Sequence, residues 1–210
     1  MTTRTELTRL PKRGSHDTAV INPILDEGLV CHVSYQVDGQ PFLIPTAYAR
    51  VEDTIYLHGS VGSHFFRELA KGVDVCLAVT LIDGLVLARS AFHHSVNYRS
   101  VIVFGKTRLV TDEAERWLAL ERITEHLVPG RWADTRQPNA SEMKKTMVIA
   151  IPIEEASAKT RSGGVNDEPA DADLPHWAGV LPLTIQAGTP VQDPAQSPMP
   201  VPEYLMGIFR

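Results

Sequence analysis

Short alternating runs, closely spaced and separated by turn dipeptides, constrain this chain more than any other feature. Residues 29–37 (LVCHVSYQV) alternate apolar and polar side chains, the period of a strand with one buried face. Asp38-Gly39 follows, a dipeptide that accepts the positive φ of a tight hairpin. The returning strand covers 42–51. Pro45 lies inside it, and a proline lacks the ladder N–H, so this strand belongs at an edge or a bulge. A third strand is predicted at 54–58. Ser63 then caps a short helix with Phe66, Leu69 and Ala70 on one face, ending at Gly72. Strands follow at 73–81 and 85–91, with Asp83-Gly84 read as the turn between them. The longest strand is placed at 99–110, with Gly105 as a bulge or a point of close approach. Residues 112–127 form the one strong amphipathic helix, with Trp117, Leu120, Ile123, Thr124 and Leu127 as its stripe. A last strand covers 147–153. About seven short strands and one long helix predict a mainly β protein, a small barrel with helical additions.

The ends differ from this middle. Residues 1–27, punctuated by Pro11, Gly14 and Pro23, read as an extended lead-in to a barrel domain at 28–160. Residues 161–210 are rich in Gly, Pro, Asp and Ala. Yet Trp177, Leu181, Leu183 and Ile185 are too apolar for a free linker. An arm wrapping the barrel or a dimer partner is expected, with 190–204 loose.

The net charge of −5, without a basic block, argues against a nucleic-acid groove. No apolar run reaches the length of a membrane span, and none follows the basic residues of the N-terminus as in a secretory signal, so a cytoplasmic setting is expected. Cys31 and Cys76 sit in apolar strand-like runs and are expected as buried, reduced thiols.

Four segments invite a chemical reading. His58 to Leu69 (HGSVGSHFFREL) passes from a strand through small polar residues into a helix start, where free N–H groups suit a phosphate; an ordinary capped helix has the same composition. Residues 91–101 (AFHHSVNYRSV) carry adjacent histidines, which in extended chain point to opposite faces and cannot share one ion. No further ligands stand at zinc-like spacing, so no metal site is expected. Arg99 and Ser100 offer a donor fork and a hydroxyl to a phosphate or a flavin edge, the alternative being a surface ion pair. Lys159 and Arg161 in KTRSGG can clamp an anion or sit in a solvated turn, and Trp177 packs on core, partner or a flat ligand. The GxSxG, GxxxxGK[ST] and GxGxxG signatures are absent.

The order of these pieces is more telling than any one of them. IPTAYARVEDTIYLHGSVGSHFFREL, then VCLAVTLIDGLVLARSAFHHSVNYRSVIVFGKTRLV, and later KTRSGG and WAGVLPL, resemble the pyridoxamine 5′-phosphate oxidase-like FMN-binding proteins, in the flavin-nucleotide-binding branch related to nitroimidazole resistance. The likeness runs over 28–183. It implies an FMN-binding split barrel, a Greek-key barrel of six to seven strands, pairing as a homodimer with FMN in each of two clefts between subunits. By motif position, Thr46, His58, Ser60, Ser63 and His64 would lie near the flavin phosphate or ring. Arg99 and Ser100 would face it from the long strand. Lys159, Arg161 and Trp177 would come from the C-terminal arm, of the same or the other subunit.

Some positions depart from the true oxidases. Arg50 is the only cation of FLIPTAYAR, where those enzymes carry an Arg-x-x-x-x-Lys motif. Ser63-His64-Phe65 replaces a serine with two basic residues, and the chain ends MGIFR. Fewer fixed cations argue against pyridoxine-phosphate oxidation. The reading is an FMN-dependent oxidoreductase acting on a small molecule. The alternative is a flavin or haem binder without turnover, with His93 and His94 as candidate axial ligands.

Overall fold

A computed structural model of the chain describes residues 4–6 and 10–208. In chain order the elements are β1 (Gly14–Ser15), α1 (Thr18–Glu27), β2 (Val30–Val37), β3 (Gln40–Ala47), β4 (Ala49–Val51), β5 (Thr54–Ser60), α2 (His64–Leu69), β6 (Asp74–Leu87), β7 (Ser95–Lys106), β8 (Arg108–Leu109), α3 (Glu113–Leu127), α4 (Ala140–Lys145), β9 (Thr146–Pro152), β10 (Glu155–Arg161) and β11 (Gly179–Pro182). A seven-stranded antiparallel sheet runs β1-β10-β7-β6-β2-β3, with β11 added to β6, and a four-stranded sheet runs β4-β5-β9-β8. The fold is the mainly β split barrel that the sequence implies, with eleven strands among the described residues rather than six or seven. The chain bends from one sheet into the other at Tyr48, at Thr107 and after Pro152, which splits long predicted strands.

Local chemistry explains most of the elements. Asp38 (φ 49°) and Gly39 (φ 82°) make the β2–β3 hairpin, and β3 with Pro45 is indeed an edge strand. At Gly105 a Cβ would lie 2.2 Å from the Pro152 carbonyl oxygen, so the two sheets cross there only because the residue is glycine. Asp112 caps α3 by accepting from the Glu115 N–H at 2.8 Å. Cys31, Val33, Leu57, Leu77, Val101 and Ile149 fill the barrel, while α3 covers Tyr56, Val148 and Ala150 on the other side of the small sheet. Each large aliphatic side chain buried this way contributes about 1.5–3 kcal/mol.

Several expectations are corrected. The lead-in is helical over Thr18–Glu27. Asp17 caps this helix, and Ile21, Ile24 and Leu25 plug the end of the barrel, which offsets the hydrogen bond lost at Pro23. Tyr48 Oη donates to the Leu25 carbonyl at 2.5 Å and fixes the plug. Asp83-Gly84 is not a turn: β6 runs through it as the longest strand, with a register shift between Ile82 and Gly84. Gly84 lets β11 approach, since a Cβ there would stand 3.0 Å from the Leu181 carbonyl oxygen. Lys159 and Arg161 lie in β10 rather than in a turn, so the chain leaves the sheet only after Arg161. Beyond β11 the chain returns to the end of α3. There the Tyr204 hydroxyl donates to Asp134 at 2.7 Å and accepts from Arg131 at 2.8 Å, which anchors the last residue of the segment expected to be loose.

Candidate functional site

The residues singled out in the sequence fall into two groups. The first surrounds the end of β5 and the start of α2. His58 and Ser60 alternate with buried Leu57 and share the outer face of the small sheet with Tyr56. His58 is accessible to solvent, yet enough protein stands around it for desolvation to lower its pKa, so the ring is neutral at pH 7. Ser60 Oγ accepts from the Gly62 N–H at 3.1 Å, and its carbonyl accepts from the Ser63 N–H at 3.0 Å. Ser63 occupies the cap position of α2, but its hydroxyl makes no capping bond and stays available. His64 is exposed, with Nε2 3.7 Å from Glu68 and its ring 6.4 Å from that of Phe42. Thr46 does not join this group. It pairs with Cys31 on the barrel-facing side of β3, and its hydroxyl donates to the Ala47 carbonyl at 3.3 Å.

The second group crosses β7, β10 and β11. Register places Thr80, Ser100 and Lys159 in one row across three strands, and Ile82, Tyr98 and Arg161 in the next. These rows lie on the outer face of the large sheet, opposite Val79 and Val101 in the core. Ser100 Oγ donates to the Lys159 carbonyl at 3.1 Å, and the Lys159 ammonium has no partner among the described residues. Arg161 donates to the Asn97 side chain and to the Gly164 carbonyl. Trp177 is 70% exposed, its ring close over Gly179, where β11 begins.

Arg99 takes the ion-pair alternative and not that of a free fork. It points to the core side of β7 and is held by Glu27 at the end of α1 and by Asp83 at the β6 bulge, with Nη2 2.7 Å from Asp83 Oδ1. These contacts raise the arginine pKa and lower that of Glu27. The pairs satisfy the guanidinium within the chain and close the barrel mouth. Arg50, the cation of the early strand, is likewise taken by Asp26.

Other residues went unnoticed in the sequence. Arg89 binds Asp167 through Nη1 at 2.9 Å, but its buried Nε is the one such side-chain N or O with no partner among the described residues. Arg89 lies in the loop between β6 and β7 with Phe92, His93 and His94. The only sequence signal was its place within DGLVLARS. Cys31 and Cys76 are free thiols, and burial pushes Cys31 up to about 12. Among the described residues no three His, Cys, Asp or Glu side chains cluster as metal ligands, and no helix is long and apolar enough to cross a membrane.

A family model described as pyridoxamine 5′-phosphate oxidase matches residues 17–160. Among curated proteins, nothing matches. Among solved structures, the chain is similar to the flavocytochrome Anf3 from Azotobacter vinelandii, with 38% identity and a TM-score of 0.90 over 100% of this chain and 97% of that one. It is also similar to an FAD and haem binding protein from Mycobacterium smegmatis, with 34% identity and a TM-score of 0.88 over 94% of this chain and 97% of that one. A Bacteroides thetaiotaomicron protein, provisionally described as a 5-nitroimidazole antibiotic resistance protein, shares the fold at 22% identity and a TM-score of 0.59, over 70% of this chain and 85% of that one.

Proposed function

This chain belongs to the pyridoxamine 5′-phosphate oxidase family, and on that footing we propose that it is a flavin-binding redox protein that works as a homodimer and also takes haem. The observation that carries the flavin reading is the division of the site into two groups. The His58–Ser60–Ser63 group lies around β5 and α2, and the Lys159 group lies on the far side of the large sheet, with β7, β6 and β2 between β10 and β3. A flat cofactor reaching both groups needs a second copy of the chain. Two-fold pairing supplies it by bringing the Lys159 face of one protomer to the His58 group of its partner. The outer face of the large sheet suits such a contact, because Ile82 is 48% exposed there beside Tyr98 and Ile102.

The residues present fit a flavin nucleotide. Lys159 and the Ser63 hydroxyl are unengaged donors for a phosphate, and the buried Nε of Arg89 lacks an acceptor. Neutral His58 can donate one hydrogen bond without adding charge. A bound flavin supplies one- and two-electron transfer, while the chain binds, orients and shields it. FMN follows from the family resemblance. FAD carries the same ring and ribityl phosphate, so these donors serve either. The haem reading is supported by the names of the two full-length relatives.

The test is an absorbance spectrum of the purified protein, then titration with FMN, FAD and haemin in turn. Saturable fluorescence quenching by one flavin, together with a shifted Soret band, is expected. A protein that ignores both flavins overturns the flavin reading, and one that leaves the haemin spectrum unchanged overturns the haem reading.

A further inference from the structure

We propose that the cleft between the paired ends of β8 and β9 and the start of α3 is a binding site for a short-chain carboxylate, with Arg116 as the cation that holds it. The cleft has a volume of about 310 Å³, at the lower end of the range for small-molecule sites. It forms where the edge of the small sheet stops short. β8 has two residues, and the chain makes one more ladder bond, from the Val110 N–H to the Val148 carbonyl at 3.0 Å, before it leaves for α3. On the other side α4 ends and β9 starts at Thr146, the register partner of Ser60.

Arg116 lines this cleft from the first turns of α3. Its Nη2 donates to the Met143 carbonyl at 2.6 Å and to the Thr146 carbonyl at 3.0 Å, which uses both protons of that nitrogen and fixes the guanidinium. Nε and Nη1 keep their protons for another acceptor. Arg50, Arg108, Arg131 and Arg136 each meet a carboxylate, whereas Arg116 forms no ion pair among the described residues. Asp112 caps α3, Glu115 is divided between Arg108 and Tyr56, and Glu142 closes on Arg136 and the Asn139 N–H. None of these acids, nor the exposed Glu113, lines the cleft. A half-buried cation held only by neutral carbonyls calls for an anion from outside the chain.

Most of the remaining lining is aliphatic. Val110 and Val148 are buried within it, and Val61 and Leu109, 42% and 36% exposed, stand uncovered. One cation facing aliphatic side chains matches a singly charged head with a short aliphatic tail. A phosphate has no tail and would leave Val61 and Leu109 uncovered. Thr146 and Ser60 share the face that carries His58, so a carboxylate held here stands next to the His58 group. The site goes beyond the flavin reading and does not depend on it.

The experiment titrates the full-length protein, as purified and again after saturation with flavin, with sodium butanoate. It reads valine and leucine methyl resonances by NMR and the dissociation constant by calorimetry. Saturable shifts at Val61 and Leu109 are expected. Acetate, two methylenes shorter, and butanamide, its neutral counterpart, should each bind about tenfold more weakly. Arg116→Met is expected to weaken butanoate binding by about tenfold or more. Because Arg116 also holds two carbonyls, Val61→Glu serves as the second variant. It sets a carboxylate against the ligand at an exposed position and leaves Arg116 in place, so a similar loss should come with an unchanged melting temperature. Butanamide binding as well as butanoate overturns the assignment, as does wild-type affinity in both variants. Displacement of butanoate by a lower concentration of inorganic phosphate overturns the carboxylate class. Flavin quenching that persists in Val61→Glu keeps the two sites apart, and its loss places the cleft within the flavin site and overturns the assignment.

Discussion

The two faces of the seven-stranded sheet are made by alternate residues of the same strands, yet they have different tasks. On β6, Val75, Leu77 and Val79 point into the barrel and are buried, while Thr80 and Ile82, which follow them on the opposite face, are open to solvent. On β7, Val101 and Val103 lie inside and Ser100 and Ile102 outside. The inner face holds the fold together. The outer face adds little to the stability of a single chain and carries Ser100 and Lys159, the groups proposed above to meet a flavin and a second copy of the chain. Period-two geometry lets one strand do both, because neighbouring side chains never share a surface.

Five measurements can break or sharpen this contrast. Leu77→Ala empties a fully buried site and is expected to cost about 2–5 kcal/mol, read from the urea midpoint. A loss below about 1 kcal/mol would mean that the inner face is not the main source of stability. Arg99→Met tests the barrel mouth, where Glu27 and Asp83 would be left facing each other. Because the pair is partly exposed and screened, the expected cost is about 1–2 kcal/mol at low salt and less at high salt. Glu27 has a lowered folded-state pKa, so its contribution is complete above its usual 4.5 and fades as pH falls through the lower folded value. Glu27→Gln should therefore match the unsubstituted protein in acid stability and differ near neutrality. A difference that grows on acidification would contradict the pairing.

Lys159→Gln belongs to the outer face. It should leave the melting temperature unchanged and weaken flavin binding by about tenfold, seen by fluorescence titration. Unaltered binding would remove Lys159 from the phosphate site. The smallest effect is expected for Ile82→Ala, within about 0.5 kcal/mol of the unsubstituted chain in monomer stability. Its consequence should appear in sedimentation, as a shift from dimer towards monomer; an unchanged dimer would place the contact elsewhere.

Some of this was legible because the signal is local. Alternation located the main strands, Pro45 marked an edge, Gly105 a close approach, and Asp112 with its stripe a helix. Helix α1 had a readable signal too, in Asp17 followed by Ile21, Ile24 and Leu25, but Pro23 obscured it. The site was harder. The sequence shows which side chains can bind an anion, and nothing in it says which are already engaged. Arg99 was read as a donor fork for a phosphate or flavin with an ion pair as the alternative, and two carboxylates from distant elements claim it. Ser63 and Lys159 look no different in the sequence, yet are left open. Arg89 looks ordinary in a one-dimensional text, and its orphaned Nε exists only in the folded chain.

Two identical dipeptides mark where local information ends. Asp38-Gly39 and Asp83-Gly84 carry the same intrinsic preference for a turn, and the sequence reading treated them alike. The first adopts positive φ at both residues and reverses the chain. The second stays in β6, because Arg99 holds the Asp83 carboxylate, the Leu183 N–H takes its carbonyl, and β11 packs onto Gly84. The sequence by itself determined the alternation, the caps and the edge proline, since each depends on residues a few positions apart. Only the tertiary structure decided which turn signal was obeyed, which charges were neutralised and which donors remained free. Those outcomes depend on partners brought together from 16 to 78 positions away, whose contacts outweigh a local preference of about 1 kcal/mol.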